Sequence, residues 1–212
     1  ASCSEEYISI EDRRYHAQTI SCHDCGPQLK FRQSARDKEI TGNDAFKASV
    51  EILKKGKVLA VKGIGGFHLC CNPFDTIVVE ALRELKGREE KPFAVMFDDL
   101  AQIEKYCFFS EEEKKWLLSR EKPIVLLRRK ESEISASVFK SSRYLGCFLA
   151  YTPLHKMITN SCGPLVMTSA NVSGEPIIID NERAMALDGK ILSGVLYNER
   201  RILTGIDDSV VK

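Results

Sequence analysis

The sequence predicts an α/β fold, an open sheet with helices packed against it, and three observations support this. From about residue 42, helical and strand periodicities alternate along the chain. Several of the strand candidates are short apolar runs of the kind a sheet buries, such as Pro123–Arg128 and Pro164–Thr168. The 212 residues are 43% hydrophobic and 29% charged, enough for one compact core or a core with a small appendage.

The elements follow in order. Thr41-Gly42-Asn43-Asp44 offers cap residues, Phe46, Val50 and Leu53 recur on one helical face, and Gly56 sits where a helix stops, which predicts a helix over 44–55. The run Lys57–Lys62 reads as a strand leaving into the glycine-rich loop Gly63-Ile64-Gly65-Gly66. Val78, Ala81, Leu82 and Leu85 give a second helix, opened by Asp75 or Thr76 and closed at Gly87. Phe93–Phe97 is a strand, and Ser110-Glu111-Glu112-Glu113 has the form of a capping box opening a helix through Trp116 and Leu117. Glu182–Leu187 reads as a helix ending at Gly189, and 194–204 as a final pair of short strands. Neither an internal repeat nor a low-complexity segment is present.

Composition excludes several classes. The longest apolar stretches, such as Ile124–Leu127, fall far short of the roughly 20 residues a membrane helix needs, and the acidic N-terminus lacks a signal-peptide pattern, so a soluble protein is expected. With 31 Lys and Arg against 30 Asp and Glu the formal net charge is +1, which disfavours sequence-blind nucleic-acid binding through bulk charge. Eight cysteines are too few for a disulfide scaffold, and Cys70, Cys71, Cys107 and Cys147 sit in apolar runs, which points to a reducing cytoplasm.

Residues 1–31 differ from the rest: they are polar and show no sustained helix or strand period. Cys22-His23-Asp24-Cys25 is a knuckle followed by Gly26-Pro27, and eighteen residues separate Cys3 from Cys22, close to the spacing of paired-knuckle zinc sites. Cys3, Cys22 and Cys25 are therefore metal candidates in a partial zinc-knuckle module. The fourth ligand would precede Cys3 by three residues, one position before the chain begins, with His16 the nearest substitute; the chain is accordingly expected to be a fragment.

Three clusters elsewhere have the residue types for anion chemistry. Arg83, Lys86, Arg88 and Lys91 gather at a helix end around Gly87, as a polyphosphate would require, although basic residues also suit a solvated helix C-terminus. Gly63-Ile64-Gly65-Gly66 has the flavour of a phosphate loop without matching G-x-G-x-x-G. Thr168-Ser169-Ala170-Asn171-Val172-Ser173-Gly174 leaves a buried strand with hydroxyls and an amide at the carboxyl end, where open α/β sheets hold ligands. His68 and His155 stand in apolar surroundings and read as structural, and Asp207 and Asp208 read as solvent-facing carboxylates rather than magnesium ligands.

Taken in order, Val61–Leu69, Leu82–Ala94, Tyr151-Thr152-Pro153-Leu154-His155 and Leu165–Pro176 resemble the YrdC-like domain of the hydrogenase-maturation carbamoyltransferase HypF family. Glu11–Gln18 followed by Cys22-x-x-Cys25-Gly-Pro resembles the end of that family's second zinc knuckle. The resemblance implies a partial zinc-knuckle module at 1–31 and a YrdC-like nucleotide-binding domain at 32–212, with an open twisted mixed sheet and flanking helices. It implies neighbouring acylphosphatase and carbamoyl-transfer domains in a longer polypeptide. It also implies that carbamate, derived from carbamoyl phosphate, is adenylated by ATP with Mg2+, and that the carbamoyl group passes to a cysteine of a partner hydrogenase maturation protein to become a cyanide ligand of a nickel–iron site.

On that resemblance Lys86 and Arg88 match a Lys-x-Arg element for the triphosphate, with Lys91 in support. Ser169 and Asn171 match a Ser-x-Asn element for phosphate and magnesium-side contacts. Lys62, Gly65 and Gly66 are expected to line the same cavity, with Thr152, Ser173 and Arg200 as further contacts and Zn2+ on the cysteines. Ala150 replaces the family's usual proline, Gly205 its arginine and Asn198 a common histidine; if that arginine contacts nucleotide, the second change leaves Arg200 or Arg201 to compensate, or weaker binding. Two other readings compete: a threonylcarbamoyl-adenylate synthase serving tRNA modification, and a non-catalytic double-stranded RNA-binding module, which the near-neutral charge disfavours.

Overall fold

The structure, a computed structural model, describes residues 2–22, 24–34, 36–171, 174–187 and 191–212. Helix α1 (Ser2–Ile8) opens the chain within the stretch expected to lack regular structure, and it buries Cys3. β1 (Lys30–Arg32) and β2 (Ile40–Thr41) pair as an antiparallel hairpin, and α2 (Gly42–Lys54) follows at once. β3 (Val58–Lys62) turns through the glycine loop into β4 (Phe67–Cys71), a strand the sequence reading did not anticipate. α3 (Thr76–Lys86) starts where expected, because the Asp75 carboxylate accepts from the backbone N–H groups of Ile77 and Val78; it stops at Gly87, whose φ of 55° only glycine adopts without cost.

β5 (Ala94–Phe97), α4 (Leu100–Tyr106) and β6 (Cys107–Phe108) come next. The reciprocal Ser110–Glu113 capping box then opens α5 (Glu111–Leu118). β7 (Ile124–Arg129), α6 (Ala136–Phe139), β8 (Tyr144–Leu149), α7 (Pro153–Cys162) and β9 (Leu165–Ser169) build the second half. The chain closes with α8 (Asn181–Met185), β10 (Leu192–Tyr197) and β11 (Val210–Val211).

Ten strands lie in the order β11-β7-β8-β5-β9-β4-β3-β10-β1-β2, and β6 pairs with β7 off that path. The sheet is mixed: β10 with β3, β5 with β8 and β11 with β7 run parallel, and the other pairs antiparallel. Its central strands are buried on both faces, so side chains of alternate parity enter different cores. Val58, Ala60, Val95, Cys147 and Val166 face the layer of α3, α4, α5, α6 and α8, packing with Leu82, Ile103, Leu117, Val138 and Ala184. Leu59, Val61, Met96, Phe148 and Met167 face α2 and α7, with Leu53 and Ile158.

Two expectations are corrected. The segment 194–204 is one strand, Leu192–Tyr197, followed by irregular chain, because β10 is held between β3 and β1 and leaves no room for a hairpin partner. The helix expected over Glu182–Leu187 is Asn181–Met185, since Asp180 caps it by accepting from the N–H groups of Glu182 and Arg183; the expected stop at Gly189 lies outside the described residues. Among the described residues no helix is long and apolar enough to cross a membrane.

Candidate functional site

Lys86 is the last residue of α3 and is only 3% exposed, so the helix delivers an ammonium group into the interior beside the end of β9. Its Nζ donates to the backbone oxygens of Ser169 and Asn171, the latter at 2.8 Å, and to Asn171 Oδ1 at 3.0 Å. Burial, reinforced by the charges of Arg88 and Lys91, lowers its pKa to about 8. Ser169 Oγ donates to the same Asn171 Oδ1 at 2.6 Å, and the Asn171 amide nitrogen donates to the Glu175 carbonyl. The Lys-x-Arg and Ser-x-Asn segments, more than eighty residues apart in sequence, thus meet through Lys86.

Arg88 lies in the loop after Gly87. Its guanidinium donates to Lys91 O at 3.0 Å, to Thr168 Oγ1 at 3.2 Å and to Pro92 O at 2.5 Å, and stacks 4.8 Å above the Phe93 ring. Burial, with the Arg83 charge adding, lowers its pKa to about 10. Arg83, counted from sequence among the converging cations, plays another part. It turns inward and donates to the carbonyls of Ser137, Val138, Arg88, Glu89 and Lys91, tying down the loop that carries Arg88. Its four-residue spacing from Gly87 was the available signal, but only the fold shows that the guanidinium meets backbone carbonyls.

Arg88, Lys91, Thr168, Ser169 and Asn171 line one cleft of about 680 Å³. Its floor is apolar, with Ala94, Ile124, Leu126, Gly146 and Met167 contributed by four neighbouring strands. Asp207, Asp208, Val210 and Lys212 form the facing wall. The sequence reading set the two carboxylates aside as solvent-facing; the structure brings them opposite the cations, with Asp208 Oδ2 3.5 Å from His68 Nε2. Their position comes from β11 pairing with β7, a two-residue contact without periodicity of its own.

The other expected contacts lie elsewhere. Lys62 points away from this cleft, because its Nζ is committed to Asn181 Oδ1 at 2.7 Å, Asn198 O at 3.0 Å and Arg200 O at 2.6 Å. It lines a separate cleft of about 660 Å³ together with Thr152, Arg200 and Arg201. There Thr152 caps α7 by accepting from His155 N–H. The prediction that Lys62 and the glycines share one cavity with Arg88, Ser169 and Asn171 is therefore corrected. Gly65 and Gly66 are packing positions: a Cβ on Gly65 would stand 2.6 Å from Ile206 Cβ, and one on Gly66 2.4 Å from Ile177 Cδ1. Ser173 lies outside the described residues.

The departures at Ala150, Gly205 and Asn198 have local explanations. The Ala150 N–H donates to Phe97 O at 2.9 Å, a bond proline cannot make. Gly205 sits against Ile177, where a Cβ would approach to 3.1 Å. Arg200 and Arg201 belong to the second cleft and do not compensate for an arginine at 205. Asn198 accepts from Lys62 and Asn181 through its carbonyl and from Arg200 N–H through its side chain.

At the N-terminus the thiols of Cys3, Cys22 and Cys25 lie within 4.8 Å of one another. Sγ of Cys25 is 3.1 Å from that of Cys3 and 3.7 Å from that of Cys22. Thiolates on a tetrahedral zinc stand about 3.8 Å apart, so this donor set fits the ion. Backbone N–H groups of Cys25 and Asp24 lower the Cys22 pKa to about 6, whereas the Cys25 thiol and burial raise that of Cys3 to about 11, so the cluster holds its first negative charge on Cys22. His16, the substitute ligand considered from sequence, is not in the cluster; its ring stacks 4.0 Å from Tyr15.

Fold and site together define a mixed α/β domain with a cationic cleft at the carboxyl end of a strand, joined to a three-cysteine finger. The family model of Sua5, YciO and YrdC, described as telomere recombination, matches residues 51–212, and that of the HypF finger matches residues 1–31. The chain belongs to the Sua5/YciO/YrdC family and carries a HypF-type finger. It is 40% identical over 214 residues to carbamoyltransferase HypF of Rhodobacter capsulatus, spanning the whole of this chain but 28% of that protein. A crystal structure of full-length HypF in the phosphate- and nucleotide-bound form is 44% identical, with a TM-score of 0.88 over 99% of this chain and 27% of that one. Threonylcarbamoyl-AMP synthase of Mus musculus is 27% identical over 137 residues, 62% of this chain and 48% of that protein.

Proposed function

We propose that this domain forms carbamoyl-adenylate from ATP and carbamate in the cleft lined by Arg88, Ser169 and Asn171. A carbamate oxygen attacks the α-phosphorus, the bond from that phosphorus to the bridging oxygen breaks, and pyrophosphate leaves with the electron pair. The observation that carries this reading is the meeting of Lys86 and Arg88 with Ser169 and Asn171 over an apolar floor, in a chain similar over its whole length to HypF carbamoyltransferases.

No covalent enzyme intermediate is required, so the residues act by position and charge. Arg88 and Lys91 offset the charge of the triphosphate and of the departing pyrophosphate. Lys86 fixes the Ser169–Asn171 turn while adding a cation beneath it. Ser169 Oγ, oriented by its bond to Asn171 Oδ1, is a hard oxygen donor with lone pairs left that would face Mg2+ on the phosphates, whereas Asn171 Oδ1 is committed to Lys86 and Ser169. Cys3, Cys22 and Cys25 would hold Zn2+ in a structural role, leaving one tetrahedral position to another donor.

In the wider scheme, an acylphosphatase domain of the longer polypeptide supplies carbamate from carbamoyl phosphate. A carbamoyl-transfer domain passes the carbamoyl group to a cysteine of a hydrogenase maturation protein in the cytoplasm, as a precursor of cyanide.

ATP–pyrophosphate exchange with magnesium tests the reading. Exchange with ammonium bicarbonate, which supplies carbamate, and not with threonine plus bicarbonate is the expected result. Exchange that requires threonine would move the chain to the threonylcarbamoyl-adenylate branch, and exchange with neither would remove the catalytic claim.

A further inference from the structure

The wall of the Arg88 cleft that carries Asp207 and Asp208 belongs to neither helix nor strand. After β10 the chain runs without regular structure to Ser209, passes the β3–β4 turn and reaches β7 at the far side of the sheet. Backbone bonds tie the two ends of this strap: Ile206 N–H donates to Gly65 O at 3.0 Å, and Ile124 N–H donates to Ser209 O at 2.8 Å. Hydrophobic burial holds it weakly, since Leu203 is 81%, Ile206 60% and Val210 61% exposed. Between the tied ends, the side chain that reaches down to the sheet is Asp208, 3.5 Å from His68 Nε2.

His68 is placed to receive it. Antiparallel register sets His68 of β4 directly opposite Ser169 of β9, so the imidazole stands beside the hydroxyl of the candidate site. Its freedom is small. The ring is 3% exposed, and Nδ1 lies where a Cβ on Gly63 would come within 3.1 Å. Behind it stands the fully buried His155 ring, edge-on at 6.2 Å, itself edge-on to Tyr151 at 4.6 Å. A ring so confined offers Asp208 a fixed partner and spends little entropy in doing so.

We propose that His68 and Asp208 form a latch that holds the 203–209 strap across the sheet as the acidic wall of the Arg88 cleft, which makes them positioning residues for the nucleotide. With the latch open, the wall would be held by its two backbone ties, the packing of Gly205 and Ile206 against Ile177 and Gly65, and the β11 pairing. The carboxylates opposite Lys86 and Arg88 would then lose their fixed distance from those cations. The nucleotide arm of the test rests on the proposed function; the latch itself does not.

Four variants decide it: His68→Ala, Asp208→Ala, the double variant and His68→Gln, which restores a donor near the position of Nε2. Hydrogen exchange at the two tie amides, Ile206 and Ile124, and calorimetric titration with ATP and magnesium are read on each, with melting temperature to confirm the fold. Expected are faster exchange in both alanine variants, ATP binding weaker by up to about fivefold, the range of a single part-exposed contact between an imidazole and a carboxylate 3.5 Å apart, and partial rescue by His68→Gln. The double variant should be no worse than either single one. Unchanged strap exchange in a folded His68→Ala chain overturns the latch, as does a double variant whose losses multiply. Should His68→Ala fail to fold, Asp208→Ala, which alters a residue of the strap, decides by its exchange alone. Should the unsubstituted chain not bind ATP, the proposed function falls, and the exchange measurement still settles the latch.

Discussion

Lys86 makes the affinity for a polyanion depend on pH in a way that can be worked from its surroundings. In the free chain burial and two neighbouring cations place its pKa at about 8. A triphosphate in the cleft brings negative charge beside the ammonium and raises that pKa, so binding takes up a proton wherever the free lysine has lost one. At pH 9 about one free chain in eleven retains the ammonium, so the apparent dissociation constant should rise about tenfold between pH 7 and 9. Calorimetric titration with ATP and magnesium, run in buffers of low and high ionisation enthalpy, reads both quantities. Proton uptake should be about 0.5 per site at pH 8 and about 0.9 at pH 9. Lys86→Ala should bind more weakly at pH 7 and lose the dependence. An affinity flat from pH 7 to 9 in the unsubstituted chain, or full proton uptake surviving in Lys86→Ala, would refute the reasoning.

The same lysine affects stability. Its folded pKa of about 8 lies below the ordinary 10.5, so the unfolded chain binds more protons between those values and folding is favoured as pH rises through that window. The stability of the unsubstituted chain relative to Lys86→Met should therefore grow by about 3 kcal/mol from pH 8 to 10.5, measured by urea unfolding. Arg88→Lys keeps the charge but loses the fork to Thr168 and Pro92 and the stacking on Phe93, and should slow pyrophosphate exchange by about 10- to 100-fold. Gly194→Ala drives a methyl group to 2.4 Å from the buried Phe31 ring and should cost about 1–3 kcal/mol in chemical denaturation. Single Cys→Ser changes at 3, 22 or 25 should lower the zinc content measured by elemental analysis, and chelation should raise exchange in α1 while sparing β3 and β4.

The starts of α2, α3, α5 and α8 and several strands were legible because their determinants are local, whereas α1, α4, α6 and α7 were not read from the sequence. Asp75, Ser110 and Gly87 act on backbone within one turn, and the apolar runs at 58–62 and 165–169 form the centre of the sheet. The strands at 67–71 and 144–149 were missed: in Phe67-His68-Leu69-Cys70-Cys71 and Tyr144-Leu145-Gly146-Cys147-Phe148-Leu149 a histidine or a glycine interrupts an otherwise apolar segment, and their extended form is set by partners far away in sequence.

The site divides in the same way. Motif spacing and resemblance pointed to Lys86, Arg88, Ser169 and Asn171 and to three cysteines, and the fold gathers the first four in one place and the three thiols in another. Sequence neighbours proved a poor guide for Lys62, Thr152 and Arg200, because the direction of a side chain depends on what its own atoms meet; Lys62 meets three acceptors on the far side of β3. By itself, then, the sequence determined the class of fold, the local boundaries and the chemical inventory, all of which rest on periodicity, capping and residue type. Tertiary structure alone decided which of two clefts each cation enters and that Asp208 of the last segment faces His68, since both follow from strand order and register between residues more than a hundred positions apart.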